Sequence, residues 1–186
     1  MAEKLDKEDC ILFSGGAQGA EAAFGAAAER HGVEEVNFTF DGHNDARSRG
    51  IRVLTHAELK SGDVSLAYVS RLMHREFRDT QLFRKVLQTI WHQVHNAQEI
   101  FVVGKINPDD TVTGGTGVAG EYAKILHKPL YVFDQERDAW LCWTGEGWRA
   151  EDAPLIRQPY FCGTGTRFLG PNGQAAIDTL FVRTFA

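Results

Sequence analysis

The sequence has few of the features that mark disulfide-rich, metal-binding or membrane-spanning chains. Its three cysteines, Cys10, Cys142 and Cys162, are far apart and form no Cys-x-x-Cys pair. This spacing predicts reduced thiols and argues against a disulfide framework or a zinc site. No apolar run approaches the roughly 20 residues that cross a membrane, and residues 1–9 have no apolar segment like that of a signal peptide. We therefore expect a cytoplasmic protein with no metal ion and no membrane partner.

An excess of positive charge is also missing. The chain has 20 Lys and Arg against 25 Asp and Glu, a net charge of −5. The field of such a chain does not attract nucleic acid, so we expect no nucleic-acid partner. The length of 186 residues and the hydrophobic content of 43% fit one globular domain with a sizeable core. We predict a single domain over residues 1–186, with a flexible N-terminus at residues 1–9.

Apolar strand-like segments alternate with helix-like segments along most of the chain. The predicted strands are 10–14, 36–40, 51–54, 99–103, 130–133 and 160–162; the predicted helices are 17–30, a short one from Thr55, 63–95 with a break near Asp79 and Thr80, one ending at His127, and 173–181. Such alternation indicates a Rossmann-like α/β fold, a mostly parallel sheet with helices on both faces. Residues 137–150 are predicted to form a small tryptophan-rich β-hairpin extension, which packs on the sheet or on a second subunit of a homodimer.

Three glycine-rich motifs follow apolar strands and are the main functional signal. They lie at residues 13–21, 113–121 and 161–167. Glycine lets a ligand approach the backbone closely, and a helix that follows such a loop directs N–H groups and a positive dipole end at an anion. We therefore predict a nucleotide or phosphate ligand. The predicted ligand-binding residues are Ser14, Gly15, Gly16, Gln18, Gly19, Gly114, Gly115, Thr116 and Gly117, with Arg167 and Lys85 as further candidates.

Structural alternatives exist for several of these residues. The third motif is explained equally well by a turn in which Thr164 or Thr166 caps the last helix. Glu121 follows the second motif, where a carboxylate near a helix N-terminus is favourable by itself. Residues 41–45 are predicted to be a polar turn.

The first two motifs resemble those of the SLOG superfamily, Rossmann-like proteins that include the LOG phosphoribohydrolases, DprA, the molybdenum cofactor carriers and a YpsA-related branch. The LOG pattern Pro-Gly-Gly-x-Gly-Thr-x-x-Glu is matched at four positions and differs at two. The matches are Gly114, Gly115, Gly117 and Glu121; the differences are Thr113 and Val118.

The resemblance implies a catalytic pair in a metal-independent enzyme. Glu121 would act at a ribose, and Arg84, from an Arg-Lys pair like that of the LOG enzymes, would orient the leaving base or the phosphate. Three functions are compatible with the sequence. The first is a sensor or carrier that binds a nucleotide-derived ligand, with no other cofactor implied. The second is a LOG-like nucleoside 5′-monophosphate N-glycosidase, and the third is an interaction module of a mobile-element or defence system.

Overall fold

A computed structural model of the chain describes residues 5–76 and 80–186. The strands are β1 (Ile11–Ser14), β2 (Glu34–Thr39), β3 (Ile51–Val53), β4 (Glu99–Gly104), β5 (Leu130–Asp134), β6 (Ala139–Trp143), β7 (Trp148–Ala150) and β8 (Tyr160–Gly165). The α-helices are α1 (Ala20–His31), α2 (His56–Lys60), α3 (Asp63–Leu72), α4 (Gln81–Asn96), α5 (Thr116–Ile125) and α6 (Pro171–Phe185), and a 3₁₀ turn covers Lys7–Asp9.

The strands form one sheet in the order β3-β2-β1-β8-β4-β5-β6-β7. From β3 to β5 all neighbours are parallel, and β6 and β7 add an antiparallel edge. The prediction of a Rossmann-like α/β fold with a small hairpin extension is therefore confirmed.

Both faces of the sheet are covered by helices. Along β4, Ile100 and Val102 pack into the core under α3, α4 and α5, whereas Phe101 and Val103 pack into the core under α1 and α6. All four side chains are fully buried. A strand buried on both faces explains why this segment is a continuous apolar run in the sequence.

The third glycine motif is part of a strand, which corrects the prediction of a loop. Gly163, Thr164 and Gly165 belong to β8, at the centre of the sheet. A Cβ on Gly163 would lie 2.4 Å from the Phe24 ring, so glycine is needed there for packing. The following helix, α6, begins at Pro171 with no side-chain cap. The predicted capping of that helix by Thr164 or Thr166 is therefore wrong.

The ends of the other helices agree more closely with the sequence. Thr55 caps α2 where the sequence predicts the start of a short helix, and Glu58 completes a capping box with it. The helix predicted over residues 63–95 is interrupted, because α3 ends at Leu72 and α4 begins at Gln81, where the Thr80 side chain accepts a hydrogen bond. Asp79, the other residue named for this break, lies outside the described residues. Across residues 5–76 and 80–186, none of the helices has the length and apolar character needed to cross a membrane.

Candidate functional site

A cleft of about 950 Å³ opens at the carboxyl ends of β1, β8 and β4. In the strand order, β2 and β3 lie on one side of β1, whereas β8, β4 and β5 lie on its other side. In open α/β sheets a ligand binds where the strand order diverges in this way. The fold therefore places the cleft at the position where this class of protein holds its ligands.

One end of the cleft is the N-terminus of α5. The backbone N–H groups of Gly114, Gly115 and Thr116 donate to none of the described residues. Gly114 has a left-handed conformation with φ of +72°, which glycine adopts without strain. The Arg75 guanidinium fixes this loop from outside the cleft, donating to the carbonyls of Val112 (3.1 Å) and Gly114 (3.2 Å). The result is a loop held at two of its carbonyls, whose N–H groups have no partner in the described part of the chain and suit an anion.

Two cationic side chains line the cleft. Lys105, at the end of β4, pairs with Glu136 at 2.8 Å. Arg167, after β8, lies with its guanidinium carbon 4.7 Å from the centre of the Phe168 ring and forms no ion pair with any described residue. Arg167 is therefore the cation whose charge is left for a ligand.

The buried carboxylate of Glu21 also lines the cleft, beside the first glycine loop. Its Oε2 accepts from the backbone N–H of Ala17 at 3.0 Å, and its Oε1 accepts from the Thr164 hydroxyl at 2.8 Å and from Gln93 Nε2 at 3.3 Å. Burial raises the pKa of this carboxyl, although the hydrogen bonds and the nearby His43 oppose the shift. The first glycine loop is thus closed by its own carboxylate, and its Ala17 N–H is not offered to a phosphate.

A hydrogen-bonded histidine stands beside Glu21 in the turn after β2. The Asp45 carboxylate accepts from the Thr39 hydroxyl at 2.9 Å and faces Nδ1 of His43 at 2.5 Å. A carboxylate at Nδ1 fixes the tautomer with its proton on that nitrogen. His43 lines the cleft, and no described residue forms a hydrogen bond with its Nε2. A residue of the cleft lining thus keeps one ring nitrogen without a partner among the described residues.

Some of the predicted ligand-binding residues line the cleft and others do not. Those in its lining are Gly15, Gln18, Gly114, Gly115, Thr116 and Arg167. The Ser14 hydroxyl is fully buried and donates to the carbonyl of Gly163 at 2.6 Å. Gly19 and Gly117 serve packing, because a Cβ would lie 2.5 Å from Arg167 Cα in the first case and 2.2 Å from the Val112 carbonyl in the second. Gly16 accepts, through its carbonyl, from the backbone of the turn after β2.

The predicted catalytic residues do not line the cleft. Glu121 pairs with Lys124 at 2.8 Å, and Lys124 lies over the Trp143 ring of the hairpin, 4.1 Å from its centre. Arg84 pairs with Asp63 of α3 at 3.3 Å, and Lys85 lies over the Phe40 ring. The structure does not bring Glu121 and Arg84 together.

Glu21, Thr164 and His43 are site residues that the sequence reasoning missed. Glu21 is in the first turn of α1 directly after a glycine loop, and His43 is in the turn that follows β2. Both positions come at the carboxyl end of a parallel strand, which is the signal that could have found them. Thr164 gave no such signal, because its role depends on β8 lying between β1 and β4.

Comparison of the chain with protein-family models, with curated proteins and with solved structures gives no match. Membership of the SLOG superfamily therefore stays a prediction. A function for this chain has to be inferred from the geometry of the cleft.

Proposed function

We propose that the cleft binds a nucleotide or a nucleotide-derived phosphate ligand, as a sensor or carrier. The observation that carries the proposal is the row of N–H groups at Gly114, Gly115 and Thr116, which have no acceptor among residues 5–76 and 80–186 and share one cleft with Arg167. Backbone N–H groups at a helix N-terminus favour a phosphate through both hydrogen bonds and the helix dipole. A guanidinium adds charge-assisted hydrogen bonds to the same group.

The remaining walls suit the rest of such a ligand. Phe83, Val86 and Ile90 of α4 give the cleft an apolar side, and an apolar wall with a few polar groups is typical of small-molecule sites. The volume of about 950 Å³ lies at the upper end of the roughly 300–1,000 Å³ common for such sites. A nucleotide with one or two phosphates fits this size.

Calorimetry and thermal-shift measurements test the proposal directly. The purified protein is titrated with AMP, ADP-ribose, NAD and cyclic AMP at concentrations up to about millimolar, the Kd range in which weak nucleotide sites are still detected. Heat of binding and a raised melting temperature for at least one of these ligands are expected. The absence of both for all four ligands rejects the proposal. Mass spectrometry of the freshly purified protein gives an independent readout, since a retained nucleotide identifies the ligand.

The N-glycosidase function is a second proposal with a separate test. It rests on the resemblance of Glu121 and Arg84 to a catalytic pair, and these side chains are instead paired with Lys124 and Asp63. Chromatography of nucleoside 5′-monophosphates incubated with the protein measures released base. Release that disappears in Glu121→Ala supports this function, while no release, or release unchanged in that variant, contradicts it.

A homodimer formed through the hairpin, and a role as an interaction module, are likewise proposals. Trp143 and Trp148 pack on each other edge to face at 5.2 Å between ring centres, and both are half-buried. Aromatic side chains that remain partly exposed favour an interface. Light scattering decides the oligomeric state, and a clean monomer at high concentration rejects the dimer.

A further inference from the structure

The lining of the cleft offers both hydrogen-bond donors and hydrogen-bond acceptors. The start of α5 contributes the backbone N–H groups of Gly114, Gly115 and Thr116, for which the described residues provide no acceptor. Glu21 and His43 also line the cleft and contribute a carboxylate and an imidazole. A ligand that uses both sets of groups carries an anion and hydrogen-bond donors.

Glu21 has acceptor capacity that none of the described residues uses. A carboxylate oxygen has two lone pairs; Oε1 receives two hydrogen bonds, whereas Oε2 receives one, from Ala17, among the described residues. The side chain lines the cleft although the residue is only 7% exposed. Gly15 lies beside it, and a Cβ at that position would be 2.6 Å from Oε2. Glycine at position 15, which also lines the cleft, therefore keeps a methyl group away from Oε2.

His43 supplies the second acceptor. Asp45, itself held by the Thr39 hydroxyl, accepts a hydrogen bond from the Nδ1–H of His43, and in this tautomer the lone pair of the ring lies on Nε2. The ring packs on Phe40 with 4.8 Å between ring centres, which limits its rotation. The two acceptors thus come from segments that follow different strands, Glu21 after β1 and His43 after β2.

We propose that Glu21 and His43 form a hydroxyl-binding subsite that takes the 2′- and 3′-hydroxyls of a ribose, so that the cleft selects ribonucleotides over deoxyribonucleotides. The subsite rests on the proposed function of nucleotide binding. Two neighbouring acceptors match the two O–H donors of a vicinal diol. Acidic side chains in the clefts of doubly wound folds bind ribose hydroxyls in this way. A site built to bond a hydroxyl rejects the analogue that lacks it, because the buried acceptor is then left unpaired.

The experiment compares AMP, 2′-deoxy-AMP and 3′-deoxy-AMP by calorimetry at neutral pH. We expect each deoxy analogue to bind about tenfold to a hundredfold more weakly than AMP, the size of effect typical of a hydrogen bond to a charged or buried group. Equal affinity for all three ligands overturns the subsite while leaving nucleotide binding intact. If no nucleotide binds at all, the proposed function fails, and the subsite with it.

Variants distinguish a direct contact from a merely structural role. In His43→Ala we expect AMP to bind as weakly as the unchanged protein binds one of the deoxy analogues, the one that lacks the hydroxyl held by His43. The preference of this variant for AMP over that analogue should shrink to about threefold or less. A structural role would instead weaken all three ligands equally and keep the preference, which contradicts the proposal. His56→Gln is the matched control, because His56 is an exposed histidine on α2 and should keep the full preference. Glu21→Gln is the second variant, and its amide keeps the size of the side chain. This variant should lose the preference for AMP over the other deoxy analogue.

Discussion

The two glycine loops end in different ways although each leads into a helix that carries a glutamate. The first loop leads into α1, whose second residue is Glu21; its carboxylate turns back and accepts the Ala17 N–H of the loop. The second loop leads into α5, whose sixth residue is Glu121. At about 100° of rotation per residue, four further positions place Glu121 more than one turn along, where it pairs with Lys124.

This difference teaches what each loop contributes to the cleft. In the first loop the Glu21 carboxylate accepts the Ala17 N–H and also lines the cleft. In the second loop no described carboxylate accepts from Gly114, Gly115 or Thr116, so their N–H groups stay unpaired among the described residues. Similar glycine patterns thus bring an acceptor to the cleft in one case and leave donors in the other.

The largest effect is expected from adding a methyl group to the first loop. Gly19 has φ of +95°, and a Cβ there would lie 2.5 Å from the backbone Cα of Arg167. Gly19→Ala should lower the free energy of unfolding by about 3 kcal/mol, through overpacking and backbone strain. Gly114→Ala is the matched control, since Gly114 has φ of +72° with open space around it; it should cost about 1 kcal/mol. Urea denaturation measures both, and equal losses would contradict the difference in packing.

The next effect concerns the two glutamates. Glu21→Ala leaves the Ala17 N–H, the Thr164 hydroxyl and the Gln93 amide without their acceptor, so it should cost about 2 kcal/mol of stability. Glu121→Ala should cost about 1 kcal/mol, the size of one hydrogen bond, because Lys124 keeps its bond to the Asp110 carbonyl. Chemical denaturation of the two variants checks the order. A larger loss in Glu121→Ala would reverse the roles assigned to the two side chains.

Arg167, a cation in the lining of the cleft, gives a smaller effect, on the affinity for AMP. Arg167→Ala should weaken AMP binding about tenfold, equivalent to about 1.4 kcal/mol, because one charge-assisted contact to phosphate is lost. Arg183→Ala is the control, since Arg183 is an exposed arginine on α6 and should leave the affinity unchanged. Calorimetric titration of both variants measures the ratio. Equal affinities in the two variants would place the phosphate away from Arg167.

The smallest effect is the pH dependence of stability that the Glu21 carboxyl contributes. Burial raises the pKa of Glu21 above its ordinary value of 4.5, so the folded protein holds this proton more tightly than the unfolded chain does. The stability from this group is complete below about pH 4.5 and is lost as pH rises through the folded-state pKa. Relative to Glu21→Gln, the unchanged protein should therefore lose stability as pH rises. Denaturation of both proteins from below about pH 4.5 upwards tests the direction of this change. A difference in the free energy of unfolding that stays constant with pH would show that the pKa of Glu21 is not raised.

Much of the fold was predictable because it depends on local patterns. The apolar run of β4 and the capping box at Thr55 are properties of short segments, and both were correctly placed in secondary structure. The third glycine motif was not predictable in this way, because β8 pairs with β1, more than a hundred residues earlier in the chain. A glycine required by packing against Phe24 has the same sequence signature as a glycine in a ligand loop.

The sequence by itself determined the α/β class, the order of most elements and the presence of two glycine loops before helices. Hydrophobic periodicity and helix-terminal residues act locally, so they can be interpreted without the fold. The tertiary structure alone decided which carboxylate faces the cleft, because helix start and helix rotation set the direction of Glu21 and Glu121. It also decided that Glu21 bonds to Thr164 and that His43 lines the same cleft, since β2, β1 and β8 become neighbours only when the sheet assembles.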